Sequence, residues 1–214
     1  MGNSKTDPRV VKTRNNLKKA LVGLMRHYKI ENISVQKITE TAAVTRGTFY
    51  LHYKDKQDFI KRAMSEILDD FFDAVMISGD AYFAENDTGS EVQVFSLQKS
   101  FKYIENEAEV FDVLLNSEEN ELFFQQFYDR LTDQLNQFYD QLQDRFIDLE
   151  VPTSLQIAFV VSAELGLIKY WLHAGMIYTP HYMTQSVAKM LQQVSGDGIF
   201  FTDFFVAEQD GLLH

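Results

Sequence analysis

Residues 34–53, Ser-Val-Gln-Lys-Ile-Thr-Glu-Thr-Ala-Ala-Val-Thr-Arg-Gly-Thr-Phe-Tyr-Leu-His-Tyr, constrain this chain more than any other stretch. Ser34 and Thr45 are hydroxyl residues of the kind that cap helix N-termini. Val35, Ile38 and Ala42 fall on one face of the helix that Ser34 would start. Between the two caps lies room for only a three-residue turn, Ala43 to Thr45. The spacing therefore predicts a helix-turn-helix, whose second helix carries Arg and Thr at its exposed start and suits the major groove of DNA.

Charge is distributed to match. The 214 residues carry a net charge of −11, but residues 1–62 hold fourteen cations against five acids, a net of +9, and the other 152 hold six against twenty-six, a net of −20. One end attracts phosphate and the other repels it. Solvation of helix faces would explain the number of charges but not their segregation.

The chain has no cysteine, which excludes disulfides, thiolate metal sites and cysteine nucleophiles. Its five histidines, His27, His52, His173, His181 and His214, form no catalytic constellation with a nucleophile or a metal-ligand set, so neither an enzyme nor a cofactor is expected. The longest apolar run, Ile157 to Leu172, is interrupted by Ser162, Glu164 and Lys169 and is read as too short for a membrane span. The polar N-terminus lacks a signal-peptide core, and its loose myristoylation pattern, Met1 to Thr6, is read as fortuitous. A cytoplasmic address with no membrane partner is the expectation.

The apolar period of three to four residues predicts an all-α chain: an N-terminal three-helix DNA-binding domain over 1–55 and a helical ligand-binding and dimerisation domain over 56–214. Asp7 and Pro8 start the first helix, with Val10, Leu17, Leu21, Leu24 and Tyr28 on one face. From Lys56, apolar pairs recur every four residues to Val75/Met76, so the stripe drifts around the helix and changes partner along its length. A loop is expected over 78–90, then helices from about Glu91 to Asn106, through Val110 to Leu115, from Phe124 to Phe146, over 152–175 and from Pro180 to about Val194. The tail from Gly196 has no assigned structure.

Arg-Gly-Thr-Phe-Tyr-Leu-His-Tyr-Lys-Asp-Lys at 46–56 resembles the DNA-binding signature of the TetR family, and Leu-Ile-Lys-Tyr-Trp-Leu-His-Ala-Gly at 167–175 is similar to its DhaS-like subgroup. Ala43 departs from the glycine common in the family's turn and is expected to accept a less comfortable backbone. The resemblance implies a homodimer bound to a palindromic double-stranded operator, most simply a repressor released by an unknown small molecule. The alternative is an architectural or division-control protein acting through a protein partner. It also implies the contacts. Arg46 would read guanine, Thr48 a base edge, Gly47 would let the backbone approach, and Thr45 would cap and reach phosphate. Tyr50, His52 and Lys56 would clamp phosphates, with Gln36 and Lys37 at the flanking strand. Helices 152–175 and 180–194 would form the dimer. Tyr103, Phe127, Tyr128, Glu164, Tyr170 and Trp171 are candidates to line a ligand pocket, Glu164 foremost, because an acid on an apolar helix is costly without a partner.

Overall fold

The computed structural model describes residues 7–79, 83, 92–116, 121–142, 145–192 and 198–207. Nine α-helices occur among them: α1 (Pro8–Met25), α2 (Val35–Thr41), α3 (Arg46–His52), α4 (Lys56–Val75), α5 (Leu97–Asn106), α6 (Ala108–Asn116), α7 (Glu121–Leu142), α8 (Thr153–His173) and α9 (Pro180–Gln192). Each start has a local cause where a cap is present. The Arg9 amide donates to the Asp7 carboxylate at 2.9 Å with Pro8 in the first turn, and Ser34, Thr45, Asp55 and Ser96 accept from the amide three residues on.

Helix α4 behaves as its drifting stripe requires. At its start Phe59 lies 5.3 Å from the ring of Phe49 in α3 and 4.8 Å from Tyr53. Twelve residues later Phe71 lies against Phe95, Tyr103, Phe111 and Phe127, rings drawn from the C-terminal half. One helix thus enters the core beneath the helix-turn-helix and the core of the C-terminal bundle, where α5 packs on α9 and α8 packs on α6 and α7.

The helical frame stands as expected, and a small three-stranded sheet is added to it. Directly after α4, β1 (Met76–Ser78) pairs antiparallel with β2 (Gln93–Ser96), with Ile77 opposite Val94. The tail returns to complete it: a 3-10 turn at Phe201–Phe204 leads into β3 (Phe205–Val206), parallel to β2 with Phe205 opposite Phe95. The helix expected from Glu91 therefore begins only at Leu97. The helix expected to reach Phe146 ends at Leu142, and Phe146 instead forms a parallel bridge with Ile199. Burial explains both: Phe200, Phe201, Phe204 and Phe205 all enter the core, and strand pairing satisfies the backbone they carry inward. Most of the expected 78–90 loop, and the myristoylation pattern, lie outside the described residues.

Helix α8 falls within the expected 152–175. At 21 residues it is the one described helix long and apolar enough to cross a membrane. Its Ile157, Val161, Leu165 and Ile168 are instead buried against neighbouring helices, as in the core helix of a globular protein. It stops at Gly175, whose φ of +70° is readily available only without a side chain; the amides of Ala174, Gly175 and Met176 return to the carbonyls of Tyr170, Leu172 and Trp171.

Candidate nucleic-acid interface

The helix-turn-helix is held by short-range bonds that a sequence reader can anticipate. The Lys37 amide donates to Ser34 Oγ at 3.2 Å and the Thr48 amide to Thr45 Oγ1 at 3.1 Å. Between the helices Ala43 takes a φ of +53°, the left-handed conformation expected from its place in the turn, and the Val44 amide closes back on Thr39 O at 3.0 Å. Phe49, Ile38 and Leu21 are completely or almost completely buried beneath, so the outward face of α3 is fixed by the core under it.

That outward face carries Arg46, Gly47 and Tyr50, all exposed. Arg46 makes no ion pair or hydrogen bond among the described residues and is free to offer both guanidinium edges. Gly47 is not demanded by the fold: a Cβ there would meet only Thr45 Oγ1, at an ordinary 3.7 Å. What its missing side chain leaves clear is the outward approach to the helix backbone. Leu51, which the sequence reading passed over, is 82% exposed on the same short helix. A leucine so placed has no packing role and is suited to apolar contact with a thymine methyl. Its signal lay in the motif's own period, since Gly47 and Leu51 are four residues apart on one helix face.

Several candidates are already engaged. The Thr45 and Thr48 hydroxyls lie 2.9 Å apart within the cap. Gln36 Nε2 donates to Glu40 at 2.9 Å, and the Lys37 ammonium sits 3.3 Å from the centre of the Tyr28 ring. Lys56, expected as a phosphate clamp, donates two bonds elsewhere, to Ile30 O at 3.2 Å and Glu31 O at 3.1 Å. Its main structural work is to tie the 3-10 turn at Ile30–Asn32 to the start of α4. His52 is half-buried with its ring against Tyr53. The turn into α4 is locked by Asp58, which accepts from the Lys54 amide at 3.0 Å and from Arg62 Nε at 2.7 Å; the amide bond first, then Arg62, hold its carboxyl below the usual range.

The basic half is not uniformly turned outward. Arg14 and Lys18 on α1 pair with Glu66, Lys18 also reaches Asp70, and Arg26 pairs with Glu109 on α6. These cations face the C-terminal half and join the two parts. The charge left for phosphate is smaller than the net of +9 suggests.

The six residues expected to line a pocket do not come together. Phe127 and Trp171 are fully buried, Phe127 among core rings and Trp171 against Phe101, with its Nε1 donating to Tyr178 O at 2.8 Å. Tyr128 packs on Phe124, whose other neighbour is the Lys169 ammonium. Tyr170 is 58% exposed on α8. Glu164 is buried, its Oε1 has no hydrogen-bond partner, and burial pushes its pKa up to about 8. Of the six, Tyr103 borders the cleft between α1, α4, α5 and α6.

Comparison with known proteins agrees with this geometry. The profile of bacterial regulatory proteins of the tetR family matches residues 19–63, and one described as a transcriptional regulator C-terminal region matches 95–193. A curated relative, the uncharacterized HTH-type transcriptional regulator YxbF of Bacillus subtilis (strain 168), is 23% identical over 185 residues. That match covers 83% of this chain but only 44% of the relative, so the chain spans less than half of its length. Among solved structures, NalD of Pseudomonas aeruginosa, the secondary repressor of the MexAB-OprM multidrug efflux pump, is similar with a TM-score of 0.59 and 17% identity, over 86% of this chain and 96% of that one. The dihydroxyacetone kinase operon activator DhaS is similar with a TM-score of 0.53 and 18% identity, over 85% and 96%. At such identities these structures speak for the fold, and DhaS is one neighbour, not a marker of subgroup.

Proposed function

Since the chain belongs to the TetR family of bacterial transcriptional regulators, we propose that it is a cytoplasmic homodimeric repressor that leaves a palindromic operator when a small molecule binds. The observation that carries the reading is the outward face of α3. Arg46, Gly47, Tyr50 and Leu51 stand exposed on a helix positioned by a completely buried Phe49, in the half of the chain that carries the positive charge. Residues 1–55 then act as the reading head and 56–214 as the sensing and pairing part. Arg46 reads guanine, Thr48 and Leu51 meet neighbouring bases, and Tyr50 and His52 contact phosphates, with Thr45, Gln36 and Lys37 at the margins, while Lys56 supports the head from behind through Ile30 O and Glu31 O.

The pairing surface is supported by what α8 and α9 leave uncovered. Leu155, Phe159 and Tyr170 recur at helical spacing along one face of α8, with Phe159 72% exposed, and Tyr182 and Met190 are exposed on α9. An apolar stripe of this extent is unusual on a monomer and fits a two-fold, self-complementary helix pair. Such a dimer would set two α3 helices about one DNA turn apart, roughly 34–36 Å, which requires a palindromic site.

The test is selection of duplexes from a random library by the full chain, followed by fluorescence anisotropy over a salt series. Palindromic sequences bound by a dimer, with affinity falling steeply between about 50 and 200 mM salt, are expected. Recovery of no palindrome, or affinity indifferent to salt, would overturn the reading.

A further inference from the structure

Helix α1 and the corner between α5 and α6 do not close on each other. A cleft of about 580 Å³ remains between them, bordered also by Ile67 and Asp70 of α4. That volume lies in the range of small-molecule sites. The lining charges are balanced by element: Lys18, Lys19 and Arg26 come from α1 and its C-terminal cap, whereas Asp70, Glu107 and Glu109 come from α4, the α5–α6 corner and α6. Two ion pairs, Lys18–Asp70 and Arg26–Glu109, already span it. Lys19 and Glu107 make no ion pair among the described residues. Ile67 and Val110, both half-buried, supply apolar surface, and Tyr103 adds a hydroxyl kept protonated, since burial first and then Asp70 and Glu107 raise its pKa.

Gly23 indicates that the space is kept open. It lies within α1, where glycine weakens a helix relative to alanine. No contact requires it, because a Cβ there would meet nothing within 4 Å. A larger residue would stabilise α1 and extend into the cleft.

We propose that this cleft is an effector site for a small zwitterion with an apolar body, of about dipeptide size, whose anionic end pairs with Lys19 and whose cationic end pairs with Glu107. A purely anionic ligand would face three carboxylates and a purely cationic one three basic groups, so a molecule carrying both signs suits the lining best. Its apolar body would rest on Ile67 and Val110. Because α1 packs on α2 of the helix-turn-helix, while Glu109 belongs to α6, an occupant of this cleft wedges the reading head directly against the C-terminal half. The inference rests on the ligand-released reading above and gives it a place and a chemistry.

The experiment titrates L-leucyl-L-phenylalanine into the full-length protein by calorimetry, beside its N-acetylated form, an anion, and its C-terminal amide, a cation. Binding of the zwitterion is expected, weakened at least tenfold by either block and at least tenfold in Lys19→Gln or Glu107→Gln. Gly23→Phe, which fills the cleft, should abolish binding while keeping affinity for operator DNA. No binding of the zwitterion to the wild-type protein overturns the ligand class, and undiminished binding to a DNA-competent Gly23→Phe overturns the location. Should Gly23→Phe lose DNA binding, the two charge substitutions decide, since unchanged affinity in both overturns the site. An effector that releases operator equally from wild type and Gly23→Phe leaves ligand response standing and removes the cleft from it. If the zwitterion binds as expected while operator affinity stays constant, the site stands and the release reading falls.

Discussion

Glu164 should make this protein less stable as the pH rises through neutrality, and Glu164→Gln should remove most of that dependence. Glu164 is 4% exposed, on the buried stripe of α8 between Val161 and Ile168, in a helix that packs against α6 and α7. Burial alone lifts its pKa to about 8, against about 4.3 in an unfolded chain. Between those values the folded protein keeps a proton that the unfolded chain has released, so the folded state binds more protons and stability falls with increasing pH. Each pH unit in that window costs about 1.4 kcal/mol, which gives about 3 to 4 kcal/mol between pH 4.5 and pH 7. Glutamine is close in shape and stays neutral. Urea denaturation at one fixed protein concentration, needed because dimer stability follows concentration, should show the two proteins within about 1 kcal/mol of each other at pH 5. By pH 8 the variant should be more stable by about 3 kcal/mol or more. The histidines and other carboxyls titrate in both proteins and cancel in the difference. Parallel stability curves from pH 5 to pH 8 would show that Glu164 ionises in place, and the argument from its burial would be wrong.

Arg46→Ala should cost about 1 to 3 kcal/mol of operator binding and relax preference at one base pair of each half-site, read by anisotropy on a set of single-base operator variants. Lys56→Ala should lower the melting temperature, through the lost bonds to Ile30 O and Glu31 O worth about 1 kcal/mol, while leaving the slope of affinity against salt nearly unchanged; a slope reduced by a whole unit would restore it as a phosphate clamp. Ala43→Gly should stabilise the protein by about 1 kcal/mol in thermal denaturation, because it relieves a positive φ that a Cβ makes unfavourable. Phe159→Arg should yield folded monomers by sedimentation and a large loss of operator affinity, whereas a dimer that survives would place the pairing surface elsewhere.

The helix-turn-helix was legible because it is local. Ser34 and Thr45 cap amides three residues away, the one-faced pattern of Val35, Ile38 and Ala42 sets a burial that Phe49 completes from the second helix, and Ala43 signals its turn geometry through a single missing glycine. The drifting stripe of α4 was legible for the same reason, since period alone determines which side each pair faces. Lys56 shows where such reading ends: its motif position suggested phosphate, but its ammonium reaches two carbonyls about 25 residues earlier in the chain.

Tertiary structure decided the rest. Three strands of two to four residues have no period to detect, and they exist because β2 lies between the end of α4 and a tail more than a hundred residues later. Phe146 continues a helical pattern, yet ends in a bridge with Ile199, because burying its ring against Phe138 and Phe201 outweighs one more helical turn. Phe127 and Trp171, chosen from the sequence as pocket residues, became core because composition cannot distinguish a ring that lines a void from one that fills it. Which cations face DNA and which bind the C-terminal half, and where α1 and α6 fail to close, depend on how whole helices sit against one another. Capping and periodicity act within a few residues and are written in their order; concavity and charge pairing arise between elements distant in the chain, where only the packed fold brings them together.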